Sequence, residues 1–227
     1  MGHKLPPLAV RVGVVEPWRS RWFAKKKEFG KYLVEDFKIR EFIMKNYGFA
    51  GISRIDIERT HDQMSVVIFT ARPALLIGRR GAQIDKLQSE IQQFTQMSVL
   101  PPRIVEIEKP ELDAWLVADG IREQLLRRAH HRRAMKRAAE ATMQAGAKGI
   151  RIQLKGRIAG SEMARKETII MGKIPLSTIR SNIDHALVEA TTKYGQIGIQ
   201  VWIYKGEYSL VKKEEQTNET DAEENPA

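Results

Sequence analysis

Two clusters of side chains in this chain could do chemistry, and in both the chemistry is the binding of phosphate. The first is Gly78-Arg79-Arg80-Gly81, set between a short apolar turn ending in Leu76-Ile77 and a helix expected from about Ala82 to Met97. Glycines at both ends let a sugar-phosphate chain approach the main chain closely. The start of the following helix offers unpaired N–H groups and a partial positive charge. The two arginines add mobile cations, and Lys86 stands a turn further on. By itself G-x-x-G is a common helix-start turn, so its flanks decide its meaning.

The second cluster is a basic run. Arg122, Arg127, Arg128, Arg132, Arg133, Lys136 and Arg137, with His130 and His131, stand against the single acid Glu123. On a helix, Arg128, Arg132 and Lys136 are successive i,i+4 neighbours, as are Arg133 and Arg137, and like charges at that spacing oppose one another. Interspersed acids would ordinarily relieve such a run and make it a plain solvated face. They are missing here, so a strip of phosphates is the expected counter-charge.

Other chemistry is hard to build. The chain has no cysteine, which removes disulfides, thiolate metal sites and thiol catalysis. Adjacent histidines on a helix point about 100° apart, and no second donor set completes a metal site around His130 and His131. They are expected to be solvated or RNA-facing. No Walker loop, H-E-x-x-H or G-x-S-x-G occurs, and Asp113, Asp119 and Glu162 are scattered. No catalytic constellation, metal or cofactor is expected. A nuclease acting on the same polyanion, or a free regulator of single-stranded mRNA, remain the alternative classes.

The elements that must position these clusters follow from periodicity. Residues 1–28 form an arm, broken by Pro6, Pro7 and Pro17, in which Trp18, Trp22 and Phe23 alternate with Arg19, Arg21 and Lys25–Lys27. Those aromatics either dock the arm or stack on bases. Leu33, Phe37 and Phe42-Ile43 recur at helical spacing, with Asp36 placed to cap a second segment after a break. Ile55 and Ile57, then Met64, Val66 and Ile68, alternate as a hairpin, and Val105 and Ile107 make a last short strand. Lys109-Pro110 reads as a boundary. Helical patterning then runs from Glu111 to about Gln144 with a joint near Arg128–His131. Strands follow at Ile150–Leu154, Thr168–Met171 and Ile197–Ile203, while residues 183–190 are ambiguous between helix and strand.

Composition agrees with a polyanion partner. The 227 residues are 42% hydrophobic, enough for real cores, and Lys plus Arg number 38 against 28 acids, a net +10. Residues 212–227 hold two lysines and six acids, a net −4, which leaves +14 on residues 1–211. The acidic tail has too little apolar content to pack and is expected to be disordered. No run approaches the ~20 apolar residues of a membrane span. No signal peptide opens the chain, so a soluble, cytoplasmic protein with no membrane partner is expected.

Leu76-Ile77-Gly78-Arg79-Arg80-Gly81-Ala82-Gln83-Ile84 resembles the I-G-x-x-G-x-x-I core of the KH domain, whose loop grips single-stranded nucleic acid. The helix-and-hairpin order before it is similar to the type II, bacterial form. Over nearly the whole chain, the motifs resemble the bacterial branch of the universal S-three family of small-subunit ribosomal proteins. Those motifs are Pro17-Trp18, Trp22-Phe23-Ala24, Thr70-Ala71-Arg72-Pro73, Lys109-Pro110-Glu111-Leu112-Asp113-Ala114, Arg132-Arg133-Ala134-Met135-Lys136-Arg137, Gly156-Arg157-Ile158 and Tyr194-Gly195. Ala9, where the family usually has Gly, departs from its pattern, as do Pro6, Leu8 and the acidic tail.

The resemblance implies an α+β protein with four parts. These are the arm (1–28), a type II KH domain (29–109), a C-terminal α+β domain of helices and antiparallel sheet (110–211) and the tail (212–227). It implies a non-enzymatic ribosomal protein that binds 16S-type rRNA in the subunit head, neighbours other head proteins and lines the mRNA entry channel. Arg132, Arg133 and Lys136 are then implied to touch mRNA and help unwind it. Further rRNA-binding candidates are Lys4, Arg11, Arg127, Arg128, Arg137, Arg157 and Arg165. The resemblance also makes residues 183–190 a strand paired with 197–205.

Overall fold

The computed structural model describes residues 5–208; Lys4 and the acidic segment 212–227 lie outside the described residues. The fold is α+β, with two hydrophobic cores. In the arm, Pro7–Arg11 forms a short helix, α1, and Ser20–Arg21 a two-residue strand, β1. Strand β1 adds in parallel to the edge of β2 (Ile52–Arg59), so the arm is stitched onto the first sheet.

Helix α2 runs unbroken from Lys26 to Tyr47. The break expected before Asp36 is absent. Asp36 lies inside the helix and is buried, because its carboxylate accepts from Arg59, Trp22 and Ser20 rather than from a helix N-terminus. The buried stripe is Ile39, Ile43 and Tyr47, while Leu33 and Phe37 are 54% and 66% exposed. Apolar residues at three-to-four spacing run along two faces of α2, and only its C-terminal half lies over the core.

The β2–β3 hairpin (β3, Gln63–Thr70) forms as expected, with Ile57 opposite Val66 and Ile55 opposite Ile68. Period-two alternation places Ile57, Met64, Val66 and Ile68 inward at full burial. Two short strands, β4 (Ser98–Val99) and β5 (Arg103–Glu106), pair in parallel with β3. Helices α3 (Pro73–Ile77) and α4 (Ala82–Gln92) contribute Leu76, Leu87 and Ile91 to the core. Helix α4 stops five residues short of the expected Met97. The Gln92 amide there turns back, accepting the Val99 N–H at 3.0 Å and donating to the Met97 carbonyl at 2.7 Å, which closes the chain into β4.

In the second core, α5 (Ala114–Leu126) and α6 (His131–Gln144) pack against a four-stranded antiparallel sheet of order β7-β6-β9-β8. Asp113 caps α5 by accepting the N–H groups of Trp115 and Leu116 at 2.9 and 3.2 Å. The strands are β6 (Gly149–Gly156), β7 (Arg165–Gly172), β8 (Ser181–Thr192) and β9 (Gly195–Glu207). The ambiguous segment is strand: Ala186, Val188 and Ala190 are buried opposite Val201, Ile199 and Ile197. No helix among the described residues is long and apolar enough to cross a membrane.

Candidate nucleic-acid interface

The glycine loop is a tight 3-10 turn, Arg79–Gly81, joining α3 to α4. Gly78 sits at φ +67° and Gly81 at φ +82°, backbone conformations that L side chains rarely adopt. The two glycines differ in their surroundings. A Cβ on Gly78 would lie 2.8 Å from the Gln83 Cβ, whereas Gly81 faces open space. Gly78 is therefore fixed by the loop's own packing, and Gly81 leaves the approach to the α4 N-terminus clear. Arg79 is exposed beside it, and Lys86, on the next turn, is exposed and 3.8 Å from Glu90.

Helix α6 is divided sharply. His131, Ala134, Met135, Ala139 and Thr142 are buried, while Arg132, Arg133, Lys136 and Arg137 are exposed. Four cations thus share one side of a helix whose other side is anchored in the sheet. Part of the missing counter-charge comes from two acids outside the basic run, one on a distant strand and one a turn further along α6. Glu167 of β7 lies 3.4 Å from Arg132, and Glu140 lies 3.8 Å from Lys136. Among the described residues, no such partner stands beside Arg133 or Arg137.

Several expectations are corrected. Arg128 is not an i,i+4 neighbour within the helix: it lies in the α5–α6 joint at φ +60°, so the cationic ladder is Arg132–Lys136 and Arg133–Arg137 only. Arg11 is no RNA-binding surface. It is 1% exposed, and its guanidinium donates to the carbonyls of Ser181 (2.8 Å), Pro7 (2.8 Å), Leu176 (3.1 Å) and Thr178 (2.7 Å). It staples the arm to the second core. His131 is neither solvated nor RNA-facing: it is buried, with Nε2 at 2.9 Å from Glu167. Of the arm's tryptophans, Trp22 docks, its indole N–H donating to Asp36 at 2.8 Å, while Trp18 stays exposed.

The remaining candidates vary in freedom. Arg127 is exposed and pairs loosely with Glu123 at 3.6 Å, and Arg165 lies 3.4 Å from Glu167. Arg157 donates to the carbonyls of Ser161 and Tyr194, so its main engagement is to hold the turn after β6 against the β8–β9 hairpin. The residue that sequence reasoning missed is Glu167. Its one local signal is the Arg165-x-Glu167 alternation of an edge strand, which says nothing of a partner on α6.

Comparison with known proteins matches both halves of this architecture. A family model described as KH domain covers residues 38–112, and one described as Ribosomal protein S3, C-terminal domain covers residues 121–203. The small ribosomal subunit protein uS3 of Pelagibacter ubique is 47% identical over 218 residues, 96% of each chain. That of Rhodopirellula baltica is 50% identical over 213 residues, 92% of this chain and 90% of the relative. That of Dinoroseobacter shibae is 52% identical over 207 residues, 91% and 86% respectively. With near full-length identity of this order, and both signature regions folded as the sequence anticipated, the chain belongs to the uS3 family: structural, RNA-binding proteins of the small subunit of the cytoplasmic ribosome, not enzymes.

Proposed function

We propose that the exposed basic side of α6 meets mRNA where it enters the small subunit and helps to open its helices. The glycine loop, with Arg79, Arg80 and Lys86 at its edge, grips rRNA of the subunit head. The division of α6 carries the mRNA reading. Arg132, Arg133, Lys136 and Arg137 project from a helix held rigidly by its buried side. Such a fixed row of cations suits a moving phosphate backbone, which it can hold without reading base identity. No nucleotide site is needed for this role, because strand opening is driven by translocation and merely assisted by capture of the separated backbone. The apolar outer side of α2, with Leu33, Val34 and Phe37 exposed, favours a protein neighbour in the head.

Small subunits carrying Arg132→Ala, Arg133→Ala and Lys136→Ala together should cross an mRNA hairpin more slowly, with passage over unstructured mRNA unchanged. Equal rates on both templates would overturn the reading. For the loop, Arg79→Glu should remove rRNA protection next to α4, and an unaltered footprint would dismiss the loop as an rRNA contact. Gly78 is a poor place for that test, since any side chain there strains the loop itself.

A further inference from the structure

One carboxylate on β7 meets three bases. Glu167 Oε2 accepts from His131 Nε2 at 2.9 Å and from Arg132 Nε at 3.4 Å, while Oε1 lies 3.4 Å from Arg165 Nε. The three contacts are unequal. The His131 ring is 7% exposed and belongs to the first residue of α6, so its short bond ties the helix start to the sheet. The Arg132 guanidinium is 71% exposed at the longer distance, a contact that water and other anions can reach. Burial alone would raise the Glu167 carboxyl, but the bonds and charges of Arg132 and His131 outweigh it and hold it below its ordinary value. It is therefore an anion at neutral pH.

We infer that Glu167 is a positioning residue for the basic face of α6, holding Arg132 in a parked orientation from which an RNA phosphate must displace it. The inference rests on the reading of α6 as the mRNA-facing element and adds a resting state to it. Between RNA contacts, Arg132 is partly compensated within the protein, sharing one carboxylate with Arg165. A phosphate arriving at α6 exchanges one oxyanion for another at the same guanidinium. Arg133, with no carboxylate beside it among the described residues, needs no such exchange. Release of RNA is helped in turn, because Glu167 recaptures Arg132 as each phosphate leaves.

Glu167→Gln separates the two jobs of the carboxylate. The amide oxygen can still accept from the buried His131, but the charge that holds Arg132 is gone. The full chain carrying Glu167→Gln should bind a labelled oligouridylate at low salt about two- to five-fold more tightly, the range expected for surrendering an exposed ion pair. Because Arg165 shares the carboxylate, the gain should persist in an Arg165→Ala background and vanish in an Arg132→Ala, Arg165→Ala background. A merely structural role for Glu167 predicts weaker binding, which would overturn the proposal, as would unchanged affinity. An equal gain in both backgrounds would also overturn it, by assigning the effect to the general field. If Arg132→Ala alone leaves affinity unaltered, the α6 reading itself fails. If it weakens binding while Glu167→Gln gives no gain, only the parking proposal fails. Should Glu167→Gln not fold, the unmutated chain gives the answer through the Arg132 Nε–H resonance. It should shift on saturation with oligouridylate, and a stationary signal would refute the exchange.

Discussion

Arg59 and Asp36 meet inside the first core with both side chains 1% exposed. Arg59 donates to Asp36 Oδ1 from Nε at 3.1 Å and from Nη2 at 2.6 Å, and Asp36 Oδ2 accepts from Trp22 and Ser20. One carboxylate therefore joins β2, α2 and the arm. Arg59 Nη1 also donates to Glu35 Oε2 at 2.7 Å, so removing Asp36 leaves the buried guanidinium half-paired rather than stranded. Asp36→Ala should cost about 1–3 kcal/mol in urea unfolding and should release Trp22, red-shifting its fluorescence. A loss below about 1 kcal/mol would show that water reaches Arg59.

Arg11 gives a prediction opposite to that of a surface cation. Its four carbonyl partners belong to α1, to the segment leading into β8 and to the first residue of β8. Arg11→Ala would leave buried acceptors unpaired, at roughly 3 kcal/mol or more. The slope of RNA binding against salt should stay as it was, since no phosphate contact is lost. Thermal unfolding and a salt titration of the same variant check both parts.

Tyr47 links the first core to alkaline pH. Its phenol donates to Glu90 Oε2 at 2.7 Å. Burial first, then that hydrogen bond and the Glu90 charge, push its pKa up from 10.0 to about 12. The folded chain thus holds the phenolic proton more tightly than the unfolded chain does. The stability linked to this proton is whole below pH 10 and is lost as the pH rises through about 12. Tyr47→Phe should flatten the fall of the urea midpoint over that window, whereas an unchanged profile would place the alkaline transition elsewhere.

The strands were the most legible part of the sequence, because a one-sided sheet imposes period two directly on neighbours such as Ile55 and Ile57 or Ile199 and Val201. Helix α2 was less so. Leu33 and Phe37 repeat as a core face would, yet the core lies under Ile39 and Ile43, and only tertiary placement distinguishes them. Residues 183–190 have no decisive local period; pairing with β9 decides them. The cations were legible as a count but not as an arrangement. Arg11 and Arg132 look alike in sequence, while one is buried among carbonyls and the other stands in solvent. Glu167 lies 36 residues from His131, its partner, so no local pattern could announce the contact.

On the proposed role of α6, Arg132, Arg133 and Lys136 neutralise phosphates of a bound strand. The most direct measurement is the salt dependence of oligouridylate binding by the full chain and by the variant with all three changed to Ala. Each single-strand phosphate contact contributes about 0.7 to the slope of log affinity against log salt. The slope should be shallower by roughly 2 in the triple variant, with thermal unfolding unchanged because all three side chains are exposed. A slope identical to that of the unaltered chain would contradict it.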